Sequence, residues 1–316
     1  MIQFVNAKIN LGLNIVGKRE DGYHLLETMF YPIGVHNGRP ENPERFNDML
    51  EINPVSSSSS EIENEEIIRD EQYKGIVYLF LGNKVQCEID KHLVVRAARE
   101  IFEEFDNQSG TKDTFYNRVG EVLITLYKQL PDGAGMGGGS ADASFTLRMI
   151  NEIGKKKGLK GFDDTQLEQM ALRLGADCPV FIKNRPAYAE GIGEKLEEMR
   201  NILDGKWCVV VKPDLYISTK EAFAGVRPEI SAISIKDILK KPLNQWKDFL
   251  KNDFETSLFP QYPQLKNLKD ALYATGALYA SMTGSGAALY GIYETESDAR
   301  KALDNLDVDF KVICKM

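Results

Sequence analysis

Residues 130–144, LPDGAGMGGGSADAS, hold five glycines and two serines. Glycine reaches positive φ without a steric cost and lets backbone N–H groups come close to a ligand. A run of such groups leading into a helix is an anion site, because the amides and the helix dipole both face the negative charge. Ser140-Ala141-Asp142-Ala143-Ser144 followed by FTLRMINEI reads as that helix. The chemistry this predicts is phosphate binding. The segment is not a Walker A loop, since no lysine follows the glycines. Nor is it a dinucleotide fingerprint, which needs a G-x-G-x-x-G turn and an acidic residue about 20 positions on. A flexible linker is the bland alternative. It does not suit a place between an alternating strand (Val122, Ile124, Leu126 of EVLITLYKQL) and an apolar helix.

Four other segments carry reactive groups. Lys8 opens AKINLGLNI; alone, a lysine there is most simply a solvated edge charge. Tyr23 and His24 stand in DGYHLLETMF, after a turn, and His24 is one of three histidines. Asp177 stands in LGADCPVF, between a glycine and a proline, where a helix C-cap element is the plain reading. SMTGSGAALYGIY, residues 281–293, is a second glycine-rich turn before a strand, and alone it reads as an ordinary tight turn.

The elements that must position these groups are legible as periods. Ile9, Leu11, Leu13 and Ile15 alternate with polar or small residues, which predicts a half-buried strand. Helices are predicted over 93–105 and over 163–174, the latter with acids in its first turn. After residue 185 the pattern restarts: a buried strand in WCVVVKP, helices near 243–254 and 264–274, then strand 287–293, helix 297–306 and strand 310–314. This is an α+β chain, not a βαβ array. It divides into residues 1–185 and 186–316. Residues 39–75, with a serine run and dense acids, read as an exposed loop in which NDMLEI is a candidate short strand.

Composition bounds the rest. Hydrophobic content of 43% and charged content of 27% over 316 residues suit an ordinary globular protein. No apolar run reaches the length of a membrane span, and the first residues lack a basic n-region and a cleavage site, so neither membrane insertion nor a signal peptide is predicted. Four dispersed cysteines without metal spacing read as reduced thiols in the cytoplasm. A net charge of −8 argues against nucleic-acid binding, yet leaves room for a local positive site that takes an anionic substrate.

Taken together and in order, AKIN, KREDGYHLL, HLVVRAA, LPDGAGMGGGSADAS, LGADCPVF, AYAEGIGEKL and TGSGAALYG resemble the GHMP kinase superfamily. KREDGYH with AEGIGE is similar to the branch that acts on a cytidine diphosphate-linked methylerythritol in the non-mevalonate route to isoprenoids. The resemblance implies two α+β domains with the active site in the cleft between them, and it implies that residues 39–75 are a surface insertion with no catalytic role. It implies ATP and Mg²⁺ as cofactors, a small-molecule acceptor as partner, no nucleic acid or membrane partner, and a monomer or weak homodimer.

The resemblance also implies roles. Pro131, Asp132, Gly133, Ala134, Gly135, Met136, Gly137, Gly138, Gly139, Ser140 and Ala141 would cradle the ATP phosphates. Ser140 would bond a phosphate or help place Mg²⁺, whose ligands are otherwise unassigned. Asp177 would accept or orient the proton of the acceptor hydroxyl, and Lys8 would lower that hydroxyl's pKa and stabilise charge on the transferring group. Tyr23 and Phe223 would stack on the cytosine from opposite sides, His24 would hydrogen-bond it, and Asn10 and Thr219 would add polar contacts. From the residues alone, Phe223 is also readable as a helical core residue. The expected products are the 2-phosphate and ADP. Two positions depart from the pattern: His92 stands where an asparagine is usual, and Asp132 where an apolar residue is usual. Two rival readings remain: a GHMP kinase for another small alcohol, such as homoserine or a sugar, and a relative that binds nucleotide without catalysis.

Overall fold

A computed structural model describes residues 1–36, 39–40, 46–55, 66–109 and 114–316. The chain forms two compact units, each assembled from separated stretches. One holds Met1–Val5, Asn47–Asp132 and Gly138–Asn184; the other holds Asn6–Phe46, Gly133–Gly137 and Arg185–Met316. The five residues 133–137 of the glycine-rich segment therefore group with the second unit and its flanks with the first.

The first unit is built on a five-stranded sheet in the order Ile2–Val5, Asp48–Val55, Glu121–Lys128, Ile76–Gly82, Ile67–Arg69. Its pairs are antiparallel except Glu121–Lys128 with Ile76–Gly82. The alternation read from EVLITLYKQL holds: Val122, Ile124 and Leu126 are buried. Helices Leu93–Ser109, Gly138–Lys156 and Asp164–Leu174 pack together, with Gly138–Lys156 also against the sheet. Asp163 starts the last of these by a capping box with Gln166. Residues 39–75 are not one exposed loop. Asp48–Val55 is an inner strand of the sheet with Asp48, Leu50 and Ile52 fully buried, and Ile67–Arg69 is its edge strand. Alternating Leu50 and Ile52 are the core signal that the surrounding acids and serines obscured. The serine run itself lies outside the described residues.

The second unit holds two four-stranded antiparallel sheets. One runs Lys195–Glu198, Ala187–Glu190, His24–Ile33, Ala7–Lys18; the other runs Tyr279–Met282, Leu289–Tyr293, Trp207–Lys212, Phe310–Lys315. Helices Pro263–Ala274 and Glu296–Asn305 cover the second sheet over an apolar core that includes Val209, Leu272, Leu289 and Ala302. Strand Ala7–Lys18 is not half-buried as its period suggested: Ala7 through Ile15 are all buried. The polar residues among them, Lys8, Asn10 and Asn14, are each hydrogen-bonded, which removes most of the cost of burying them.

The helix expected near 243–254 is broken. Residues Leu243–Asp248 form a 3₁₀ turn and a separate helix covers Asp253–Leu258. Asn252 accepts from the Phe254 N–H and starts the new helix, so the apolar spacing runs across a cap.

Candidate active site

In the second unit, strand Ala7–Lys18 brings Lys8 and Asn10 to one side, two residues apart. Lys8 is 2% exposed. Its ammonium donates to Asn10 Oδ1 at 2.6 Å and to the Gly135 carbonyl at 2.9 Å, and lies 5.3 Å from the Phe30 ring centre. The solvated-edge reading of Lys8 is thus replaced by a buried, directed cation. Asn10 is fixed from its other end: its Nδ2 donates to Thr28 Oγ1 at 2.9 Å, which donates on to the Gly12 carbonyl at 2.5 Å. The Lys8 N–H donates to the Met136 carbonyl at 2.9 Å, so the strand and the glycine segment are joined by main chain as well.

Both glycine-rich segments need their glycines for packing. A Cβ on Gly135, whose φ is +70°, would lie 2.1 Å from the Thr283 carbonyl oxygen, and one on Gly284 would lie 2.7 Å from the Gly135 carbonyl oxygen. Backbone meets backbone there: Ala287 and Ala288 donate to the carbonyls of Gly133 and Ala134, each at 3.2 Å. Tyr216 presses on Gly133.

The expected acceptor residues divide. The His24 and Phe223 rings stack at 4.6 Å with 16° between their planes, and Phe223 meets Phe254 edge-on at 4.9 Å. Phe223 is half-buried and in contact with the core, so its core and ligand readings coexist. Partial burial, with Lys18 nearby, lowers the His24 pKa, so the ring favours its neutral form. Tyr23 is 60% exposed. Thr219 is exposed at the start of helix Thr219–Ala224, whose cap is Ser218.

In the first unit, helix Gly138–Lys156 starts at the glycines as the sequence indicated, with Ser140 in its first turn. Asp177 sits half-buried in the loop after helix Asp164–Leu174, beyond the C-cap Gly175. That loop is anchored on both sides. Arg96 donates to the Arg173 and Leu174 carbonyls at 3.1 and 3.4 Å, and Ser144 donates to the Cys178 carbonyl at 2.7 Å. The Ser140 hydroxyl meets the Cys178 thiol, which burial pushes up to about 12. Asp177 is therefore tied to the start of the glycine-led helix through its neighbour. Asp132 is exposed, so its carboxylate stays open to water.

Two features of the first unit go beyond the sequence reading, which marked His92 only as a departure from the family pattern. A cavity of about 270 Å³ is lined by Phe80, Gly82, Asn83, His92, Leu126 and Lys128 among others. The His92 and Phe80 rings pack against each other in its wall, with centroids 4.3 Å apart. Burial, and then the Lys128 charge, push His92 down to about 4, so it is neutral near pH 7. Its Nδ1 accepts from the Val94 N–H at 3.3 Å, which leaves Nε2 as the protonated nitrogen. The second feature is a buried trio. Lys128 is 5% exposed and its ammonium pairs with Asp48 and, at 2.7 Å, with Asp142. Burial would lower the Lys128 pKa, but Asp142 and Asp48 more than reverse this and raise it. Burial, with the Asp48 charge added, raises Asp142 against the pull of Lys128. Asp48 Oδ1 also accepts from the Gln129 and Leu130 N–H groups at 2.6 and 2.8 Å, which fixes the approach to the glycines. The available signal was Lys128 itself, a charge at the inward register of Val122, Ile124 and Leu126.

Comparison with known proteins places the chain in a family. The model described as "GHMP kinases N terminal domain" matches residues 92–185, and "GHMP kinases C terminal" matches 234–311. A curated relative from Bacteroides fragilis, called 4-diphosphocytidyl-2-C-methyl-D-erythritol kinase, is 41% identical over 95% of this chain and 95% of its own. One of the same name from Bacteroides thetaiotaomicron is 40% identical over 94% of this chain and 93% of its own. A crystal structure of 4-(cytidine 5'-diphospho)-2C-methyl-D-erythritol kinase superposes with a TM-score of 0.73 at 29% identity, covering 99% of this chain and 98% of that one. A homoserine kinase from Cytophaga hutchinsonii gives a TM-score of 0.66 at 13% identity, over 100% of this chain and 94% of that one, a likeness of fold alone.

Proposed function

The chain belongs to the 4-diphosphocytidyl-2-C-methyl-D-erythritol kinase family of the GHMP kinases, and we propose that it transfers the terminal phosphoryl group of ATP to the 2-hydroxyl of 4-diphosphocytidyl-2-C-methyl-D-erythritol. The single observation that carries the reading is the Lys8 ammonium, buried and aimed by Asn10 and Gly135 of the glycine segment. A fixed cation in a water-poor site stabilises charge that develops on a transferring phosphoryl group without having to reorganise. It also lowers the pKa of a hydroxyl placed beside it.

The other roles follow the chemistry of the residues. The N–H groups that open helix Gly138–Lys156 face phosphate oxygens. Asp177 accepts or orients the proton of the attacking hydroxyl from a loop held by Arg96 and Ser144. The cavity beside His92 and Phe80 takes the adenine: it offers aromatic faces and a neutral ring with a protonated Nε2 as donor. Cytosine takes the Phe223 face on which His24 now stacks, with Tyr23 closing from the exposed side and His24 turning to the base edge. Asn10 and Thr219 are the proposed polar contacts to the rest of the acceptor.

Mg²⁺ is part of the proposal. Among the described residues no group of three His, Cys, Asp or Glu side chains is placed to hold a metal. That fits an ion carried mainly by the nucleotide phosphates, with one or two protein oxygens such as those of Ser140 and Asp177. When bound it would neutralise phosphate charge. We also propose that function divides near residue 185, where the last of the chain's passages between the two units falls. Among the described residues no helix is long and apolar enough to cross a membrane; a cytoplasmic monomer or weak homodimer is proposed.

The direct test is ADP release with ATP and Mg²⁺, comparing the cytidyl substrate with homoserine, mevalonate and galactose. Turnover with the cytidyl substrate alone is expected. Turnover with another alcohol would keep the kinase and discard the cytosine reading; silence with all four would favour a binding protein.

A further inference from the structure

Residues 283–286 read in sequence as a plain tight turn, but their hydrogen bonds reach the lysine. Thr283 is fully buried. Its hydroxyl oxygen accepts from the Asn10 backbone N–H at 3.1 Å. Its single proton has two acceptors in reach, Asn10 Oδ1 at 3.3 Å and the Gly135 carbonyl at 3.2 Å. These are the same two oxygens that receive the Lys8 ammonium. One hydroxyl therefore touches both supports of the cation, while Thr28 holds the Asn10 amide from its other end.

The turn is itself held from outside. Asn252 is 1% exposed, and its Nδ2 donates to the Met282 carbonyl at 2.8 Å and the Gly284 carbonyl at 2.9 Å, one on each side of Thr283. Its Oδ1 meanwhile caps helix Asp253–Leu258. From that helix Glu255 accepts from the Met282 N–H at 2.8 Å and the Ser281 hydroxyl at 3.0 Å. A helix start thus sets the turn, and the turn sets the Thr283 hydroxyl.

We propose that Thr283, placed by Asn252, is a positioning residue for Lys8: its hydroxyl fixes the two oxygens that aim the ammonium. This rests on the reading of Lys8 as the lysine of phosphoryl transfer. Thr283 acts through Lys8 and Asn10. A small misplacement of a group that must meet the transition state costs orders of magnitude in rate while leaving ground-state binding nearly intact.

The experiment compares Thr283→Val, Thr283→Ser and Lys8→Met in steady-state assays with ATP, Mg²⁺ and the cytidyl substrate, alongside circular dichroism. Valine keeps the volume and loses the hydroxyl; serine keeps the hydroxyl. The expected result is a kcat for T283V lower by about tenfold to a hundredfold, both KM values within about threefold, and most of the rate regained in T283S. A folded T283V that turns over at the parent rate would overturn the inference. So would equal losses in T283V and T283S that track melting temperature alone. K8M separates the two readings: an active K8M removes Lys8 from the chemistry, whereas an inactive K8M beside a fully active T283V removes Thr283 alone. Should T283V not fold, Thr283→Cys against T283S gives the same comparison, and equal rates in those two would overturn the proposal.

Discussion

The Lys8 ammonium and the Asn10 side chain meet at 2.6 Å from positions two apart on one strand. The relationship is a consequence of the period-two geometry of a strand, which puts residues 8 and 10 on one side. It makes the strand itself the device that aims the cation, and it explains why a polar pair is tolerated in a buried stretch. An ammonium taken out of water requires directed oxygens, and here one comes from the neighbouring side chain and one from the glycine segment.

Replacing Lys8 by methionine keeps much of the packing and removes the charge. Turnover is expected to fall by at least about a hundredfold while the KM for ATP changes by a few-fold at most, the pattern of an interaction made mainly in the transition state. Steady-state ADP release checks both parameters. A K8M enzyme with parent turnover would end the assignment.

Gly135→Ala tests the backbone contact between the two glycine-rich segments. The new Cβ would meet the Thr283 carbonyl oxygen at 2.1 Å from a left-handed backbone position, so the segment must move. The αL cost alone is about 1–2 kcal/mol. We expect a lower melting temperature together with a loss of turnover larger than the folded fraction accounts for, because the Gly135 carbonyl also receives Lys8. A variant as stable and active as the parent would show that the segment tolerates displacement.

Much of the fold is legible because single periods specify single elements: the inward Val122, Ile124 and Leu126 mark a strand, and Asp163 with Gln166 marks a helix start. The glycine segment is legible for the same local reason. What stays hidden depends on partners distant in sequence. Residues 243–254 carry helical spacing, but Asn252 spends its side chain on a cap and on two carbonyls of the turn around Thr283, so the helix restarts there. Asp48 sits in an acid-rich stretch that looks like surface until Lys128 is seen facing it. Thr283 opens the second glycine-rich motif, but nothing in that motif points to its role, which lies in where Asn10 and Gly135 stand.

His92 gives the chain a pH dependence of definite sign. Folding lowers its pKa from 6.5 to about 4 through burial and the Lys128 charge. Between those values the unfolded chain binds a proton that the folded chain does not, so stability is lost as pH falls through that window and levels off below it. The shift corresponds to roughly 3 kcal/mol at most. His92→Asn lacks this titration. Denaturant melts from neutral pH down to about pH 4 should therefore show the parent losing stability relative to H92N. Parallel curves would mean that His92 titrates normally.

The His24–Phe223 stack makes a prediction that decides which acceptor the enzyme takes. With centroids 4.6 Å apart and planes 16° from parallel, the two rings leave no space for a base between them. A cytosine that uses the Phe223 face must displace His24, whose neutral ring can then read the base edge. Phe223→Ala removes the stacking face and is expected to raise the KM for the cytidyl substrate by about ten- to a hundredfold, consistent with roughly 1–3 kcal/mol of base stacking, with the KM for ATP little changed. CMP should inhibit the parent competitively against the acceptor and lose that inhibition in F223A. Because Phe223 also packs edge-on against Phe254, F223L serves as the control: it preserves apolar bulk and should recover stability without recovering CMP inhibition. If F223L restores both, the ring is a core residue and the base is recognised elsewhere.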